Sequence, residues 1–234
     1  MTSTGPTVDL KETCRVVRGT VPLWPYHRAR LSGGGVPEAV LDALEDSMAD
    51  AAVEWADSAT RRARLTAVVH PDGTFEVVVA QRLSSLDVVG GLAAMRIHVS
   101  DAPQLPEPPA KPADRSFWDE AHRAAQARGG HQAVLVDENE LVVDGSTAAV
   151  WIAEHGELIT PPSPPAIPSV SRAYILDRAA SADLRVRVEP FSWQRFKAAD
   201  EAFFTNAFGG VAPVRGRGGA LYSAVKRLFD HEVW

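Results

Sequence analysis

Residues 101–113, DAPQLPEPPAKPA, carry five prolines, and no regular helix or central strand can run through such a stretch. Each proline lacks a backbone N–H and fixes its own φ, and the residue before it is pushed into extended backbone. The chain must therefore build its packed structure on either side. Its 234 residues are enough for two small cores. The boundaries expected are residues 1–101 for a small N-terminal α+β domain and 102–113 for an interdomain linker that carries Lys111. Residues 114–234 then form a larger C-terminal α+β domain. Taken alone, a single lysine in a proline-rich tract reads as a solvated linker residue.

Both halves alternate short β-rich runs with helical patterns. TCRVVRGTVPLW reads as two short strands around Gly19, and PYHRARL as a helical turn opened by Pro25. From Pro37 a long helix runs to Ala59, with Val40, Leu41, Leu44, Met48, Ala52 and Trp55 at helical spacing. RLTAVVHPDGTFEVVVA is a hairpin around Asp72 and Gly73, and AAMRIHVS one more strand. In the second half, SFWDEAHRAAQARGG is a helix stopped by Gly129 and Gly130. A meander of short strands follows to Thr160, with polar turns at Glu138-Asn139 and His155-Gly156. SVSRAYILDRAASA is a helix with a serine at its mouth, LRVRVEP and ADEAFFTNA are strands, and GALYSAVKRLFDHEV is the closing helix.

Composition narrows the function. A formal charge of −6, from 24 basic and 30 acidic residues, disfavours a surface that binds nucleic acid through positive charge. One cysteine, Cys14, cannot form an internal disulfide, which fits a reducing cytoplasm. MTSTGPTVDL lacks a charged segment followed by an apolar one, so no secretory leader is expected, and no apolar run reaches the roughly 18 residues of a membrane span. No pair of histidines stands at i, i+3 or i, i+4, and no G-x-S-x-G elbow is present. GRGG at 216–219 precedes a helix but lacks the Lys-Ser/Thr of a phosphate loop, so it reads as a flexible helix entry.

An ordered set of segments remains: VVRGTVPLWPYHRARL, then Lys111 with PADR, then AVLVDENELVVDGSTAAVWIAEHGELITP, SVSRAYIL and AADEAFFTNAFGGVAPV. In this order and spacing the chain resembles the class IV aminotransferases. These are the pyridoxal-phosphate enzymes of fold type IV that include D-amino-acid and branched-chain aminotransferases and aminodeoxychorismate lyase. The likeness covers roughly residues 11–215 and includes a separation of 33 residues between Lys111 and Asp144. It implies the two-domain α+β architecture of that fold, a homodimer, an amino or keto acid as small-molecule substrate, and pyridoxal 5′-phosphate as cofactor.

The resemblance also implies roles. Lys111 matches the lysine that forms the Schiff base with the cofactor and then serves as base at the substrate α-carbon. Asp144 matches the acid that holds the pyridine nitrogen, although the family usually has Glu. The shorter side chain withdraws the carboxylate by about 1.5 Å. Arg30 matches the arginine on the phosphate, a group that a guanidinium grips in bidentate fashion. Ser169, Val170 and Ser171 stand where the family reads Gly-Ile-Thr, at a helix start whose free N–H groups favour an anion. Thr205 matches a second hydroxyl on the phosphate, and Arg115 an arginine that supports the cofactor face. Read singly, Arg30 is a surface arginine, Ser171 an N-cap, Thr205 a strand residue and Asp144 a turn acid.

The chain also departs from the family. Before ETCRVV it offers only MTSTGPTVDLK where the family has further strand and a loop. A Ser-Arg-Gly-like segment in the first domain has no counterpart, and Ala148-Ala149 replaces a nearby asparagine. No arginine for a substrate carboxylate is identified: Arg15 and Arg96 lie on expected strands and read as surface or structural residues. The leading expectation is an aminotransferase-like enzyme working through Lys111. Elimination of the aminodeoxychorismate lyase type, or a degenerate member that binds a ligand or partner without turnover, are the alternatives.

Overall fold

A computed structural model describes residues 5–56, 63–100 and 103–233. Residues 57–59 of the expected long helix and 101–102 of the proline-rich stretch lie outside these. The chain divides into two compact units. One takes the residues up to Leu83 together with Leu105–Asp114; the other takes Ser84–Gln104 and Arg115–Val233.

The first unit is a helix pair and a three-stranded antiparallel sheet. Strand β1 (Leu10–Val16) is followed by helices α1 (Trp24–Gly33) and α2 (Glu38–Val53) and by the hairpin β2 (Ala63–Val69) and β3 (Phe75–Gln81), in sheet order β1-β2-β3. Alternation sets the buried face. Leu10, Glu12, Cys14 and Val16 of β1 and Ala63, Leu65, Ala67 and Val69 of β2 all point inward. Against them α2 packs Leu41, Leu44, Met48 and Ala52, at the spacing expected, with Val40 and Trp55 partly buried at the rim. Of the two strands expected around Gly19 only the first forms. Gly19, at φ +77°, closes a Val17–Thr20 bridge, and the chain turns directly into α1. Arg28 of α1 pins α2 through Glu38, Asp42 and Glu45.

Leu105–Asp114 belongs to this unit through backbone pairing, not as a free tether. The Lys11 amide donates to the Lys111 carbonyl at 3.0 Å, the Ala113 amide to the Asp9 carbonyl at 2.7 Å, and Leu10 bridges Pro112 in antiparallel register. Ala110 is 1% exposed and joins the core. The prolines stiffen the stretch while Lys111 and Ala113 supply the groups that pair.

The second unit holds two sheets. Strand β4 (Ala94–His98), helix α3 (Ser116–Gln126), β5 (Gln132–Val136) and β6 (Val142–Gly145) form a three-stranded sheet in which β4 and β5 run parallel. Strands β7 (Ala149–Glu154) and β8 (Glu157–Thr160), helix α4 (Val170–Arg178), β9 (Val186–Val188), helix α5 (Trp193–Ala198), β10 (Glu201–Asn206), β11 (Gly210–Pro213) and helix α6 (Ala220–Glu232) complete it. The larger sheet runs β11-β10-β7-β8-β9.

The expected meander is thus split between two sheets, and the switch falls at Gly145. A Cβ there would lie 2.1 Å from the Ala148 carbonyl oxygen, so only glycine lets the chain double back so closely. His155 and Gly156, both at positive φ, make the two-residue turn between β7 and β8. Strand β11 and the short helix α5 were not anticipated from the sequence pattern. Phe191, Phe196, Phe204, Ile152, Ile159 and Val150 form the core between the sheets and α5. Among the described residues no helix is long and apolar enough to cross a membrane.

Candidate functional site

In the first unit a charged cluster sits beneath β1. Alternation puts the Glu12 carboxylate on the inward face between Leu10 and Cys14, where it is 1% exposed. An isolated carboxylate could not stay ionised there. Helix α1 supplies the compensation. Arg30 donates from Nε to Glu12 Oε1 at 2.8 Å and from Nη2 to Oε2, and His27 Nδ1 lies 2.5 Å from Oε2. Although burial opposes ionisation, the arginine and histidine together hold the Glu12 carboxyl far below the usual carboxylate range. Burial pulls His27 the other way, toward the neutral ring, against the attraction of Glu12. The fitting tautomer donates from Nδ1 and leaves Nε2, which has no partner among the described residues, as a bare lone pair. Lys111 Nζ, half-buried, donates to Thr13 Oγ1 at 3.0 Å. Cys14 is fully buried, and burial with the nearby Glu12 raises its thiol well above the ordinary range.

In the second unit Asp144, near the end of β6, is 6% exposed. Its Oδ1 accepts the Gly145 amide at 2.8 Å, and its Oδ2 accepts the Ile167 amide at 3.1 Å and the Trp118 indole N–H at 3.2 Å. Among the described residues no cation makes an ion pair with it. Burial outweighs these donors and the more distant Arg115 and raises its pKa to about 6. Arg115 lies over the Trp118 ring at 4.7 Å and donates to the Ser146 carbonyl at 2.7 Å.

Helix α4 begins beside a line of hydroxyls. Ser169 caps it by accepting the Arg172 amide. Ser169 and Ser171 hydroxyls are 3.0 Å apart, Ser171 and Thr205 another 3.0 Å, and the Trp151 indole donates to Thr205 at 3.0 Å. Indole and amide can only donate, so the line has fixed donors at both ends. One self-consistent orientation passes each proton from Thr205 to Ser171 to Ser169 and leaves the Ser169 O–H as the outward donor. With the helix dipole, such an end suits an anion.

The structure thus puts Lys111 and Arg30 in the first unit, and Asp144, Ser169, Val170, Ser171 and Thr205 in the second. It groups Ser169, Ser171 and Thr205 in one hydrogen-bonded line, with Val170 opening the helix as a buried residue. Arg30 is the unexpected one: its guanidinium is already engaged by Glu12. Sequence reasoning missed Glu12 and Trp118. Glu12 had a signal, since it shares the two-residue period of Leu10, Cys14 and Val16; Trp118 showed only as a buried position at helical spacing with Ala121 and Ala125.

The loop-like GRGG is settled by its neighbours. Glu201 accepts the Leu221 and Tyr222 amides at 3.0 and 2.7 Å, so the start of α6 is capped by a protein carboxylate.

The family model for amino-transferase class IV matches residues 9–216, and the chain belongs to that family. A Thermotoga maritima protein assigned as a branched-chain-amino-acid aminotransferase is 29% identical over 163 residues, covering 68% of this chain and 59% of its own length. The branched-chain-amino-acid aminotransferase of Pseudomonas aeruginosa is 28% identical over 107 residues, 46% of this chain and 35% of its own. The chain thus spans under two thirds of the length of these curated relatives. A hypothetical aminotransferase from Mycobacterium tuberculosis in its PLP-bound form superposes with a TM-score of 0.83, covering 97% of this chain and 89% of the other at 18% identity. The branched-chain aminotransferase of Escherichia coli gives 0.71 over 95% and 84%, at 19% identity. The fold is therefore that of fold-type IV aminotransferases, α+β as expected.

Proposed function

We propose that this chain is a pyridoxal-phosphate-dependent, aminotransferase-like enzyme that acts on an amino acid or amino-substituted acid, with Lys111 as the residue that carries the cofactor. The observation that supports it most is Asp144: a buried carboxylate held by neutral donors and, among the described residues, in no ion pair with a protein cation. Burying such a charge is costly, and a cationic N–H such as a protonated pyridine nitrogen is the partner that would offset the cost. The donor set fits the rest of the group. Ser169 and Ser171 at the start of α4, backed by Thr205 of β10, suit a phosphate, and the Lys111 amine, steadied by Thr13, suits an aldehyde.

Bound pyridoxal phosphate draws electrons from the carbon bearing a substrate's amino group, so that the proton there becomes removable. Lys111 Nζ would hold the cofactor and, as a free amine, would be the base that takes that proton and returns it. Asp144 would keep the ring nitrogen protonated. The Ser169 hydroxyl, backed by the Ser171 and Thr205 hydroxyls behind it, would hold the phosphate together with the Val170 and Ser171 amides. Arg30, its Nε and Nη2 committed to Glu12, adds positive charge from a fixed position. A homodimer in a reducing, cytoplasmic compartment goes with this reading, the compartment being supported by the lone Cys14.

The test is a screen of amino donors with the cofactor-loaded protein, in which a donor bleaches the visible band and a keto acid acceptor restores it. Lys111→Ala should lower turnover by at least a thousandfold. Release of pyruvate from an amino-substituted enol ether without any acceptor would instead mark elimination. Binding without turnover of either kind would mark a degenerate member.

A further inference from the structure

Asp144 has more donors than its backbone surroundings require, and the extra one comes from a side chain. A carboxylate offers about four acceptor positions. The Ile167 amide and the Trp118 indole fill both on Oδ2, and the Gly145 amide fills one on Oδ1. One position remains, on Oδ1. Trp118 is itself fixed from two sides: Phe117 meets its ring edge-on at 5.3 Å, and the Arg115 guanidinium lies over its face. Arg115 is further tied to the Ser146 carbonyl. The indole thus supplies a neutral donor to the acid and a seat for the nearby cation. An arginine forked directly onto Asp144 would use up both oxygens and remove the acid from any other task.

We propose that Trp118 is a positioning residue for Asp144: its N–H, with the Ile167 amide, fixes Oδ2 so that Oδ1 is the oxygen presented to the cofactor's ring nitrogen. This rests on the pyridoxal-phosphate reading above. Among the described residues the charged groups that act on Asp144 are Arg115, preceding α3, and Arg172 of α4, while the titratable His122, one turn beyond Trp118, is bonded to the Ser146 hydroxyl. Neither arginine changes charge in the range where the acid titrates.

The experiment is a double-mutant cycle on the full chain, with pyridoxal phosphate as the probe and its half-saturation concentration as the readout. Trp118→Phe keeps a six-membered ring for Phe117 and Arg115 and removes the N–H together with the five-membered half of the buried indole, a packing cost that is the same in both backgrounds and cancels in the cycle. The substitution should raise half-saturation roughly tenfold in the native background and less than twofold when Asp144→Asn is already present. A merely structural role would cost the same in both backgrounds, and that result overturns the proposal.

A second measurement needs no change at Trp118. In cofactor-free protein labelled with ¹⁵N-tryptophan, one indole resonance should follow a single titration in the native chain and lose that titration in Asp144→Asn. If every indole resonance ignores the change at Asp144, the proposal fails even where Trp118→Phe does not fold. Should the native chain take up no cofactor on Lys111 while the indole still follows Asp144, the pyridoxal-phosphate reading fails, and the proposed role toward the ring goes with it. Uptake on Lys111 with additive costs overturns the positioning role alone.

Discussion

Asp144 ties the stability of the fold to pH. Its pKa is raised to about 6 by burial, while in the unfolded chain a carboxyl titrates near 4. The folded state then keeps a proton that the unfolded state releases. The group's contribution to stability is complete below about pH 4 and is lost as pH rises through about 6. For cofactor-free protein that loss is about 3 kcal/mol. Asp144→Asn should remove this component, so the difference between native and variant urea stabilities should grow in the variant's favour between pH 4 and 7. A pH-independent difference would contradict it. Glu12 behaves oppositely: its lowered pKa gives stability above about pH 4 that is lost on acidification. Glu12→Gln removes the buried carboxylate that Arg30 and His27 both hold and should cost about 3–5 kcal/mol by urea denaturation near neutral pH. Both acids were within reach of the sequence in different degrees. Asp144 stood at a fixed distance from Lys111. Glu12 shared the inward alternation of β1, but its partners 15 and 18 residues away are set by how α1 lies on the strand, which no local pattern encodes.

At the scale of elements, Gly145 links architecture to site. It ends β6, allows the chain to cross into the second sheet, and lends its amide to Asp144. Gly145→Ala drives a methyl into the Ala148 carbonyl and should destabilise the protein by about 2–4 kcal/mol in a thermal or urea melt. It should also weaken pyridoxal-phosphate uptake, since the amide moves with the backbone. A neutral outcome on both would remove Gly145 from the account. The helices and long strands were legible because their apolar residues keep a period over two turns or more, as Leu41, Leu44, Met48 and Ala52 do. Helix α5, six residues long, and β11, four, are too short for any period to show. The exchange of sheets between β6 and β7 was hidden for another reason: two hairpins in one sheet and two in different sheets have the same strand pattern, and only the tight approach at Gly145 separates them.

For the whole chain, family membership over residues 9–216 and the match in fold fix the framework, while the proposed activity turns on Lys111. The stretch that looked like a tether gives this lysine a paired backbone and a hydroxyl partner. The most direct measurement is a visible spectrum of the purified protein with added pyridoxal phosphate, followed by borohydride reduction and peptide mapping. The expected result is a visible band from the cofactor joined to an amine, which disappears on reduction and leaves the label on the peptide containing Lys111. No band, or label spread over the other lysines with Lys111 unmodified, would contradict it and leave a fold of this family that does not use its lysine.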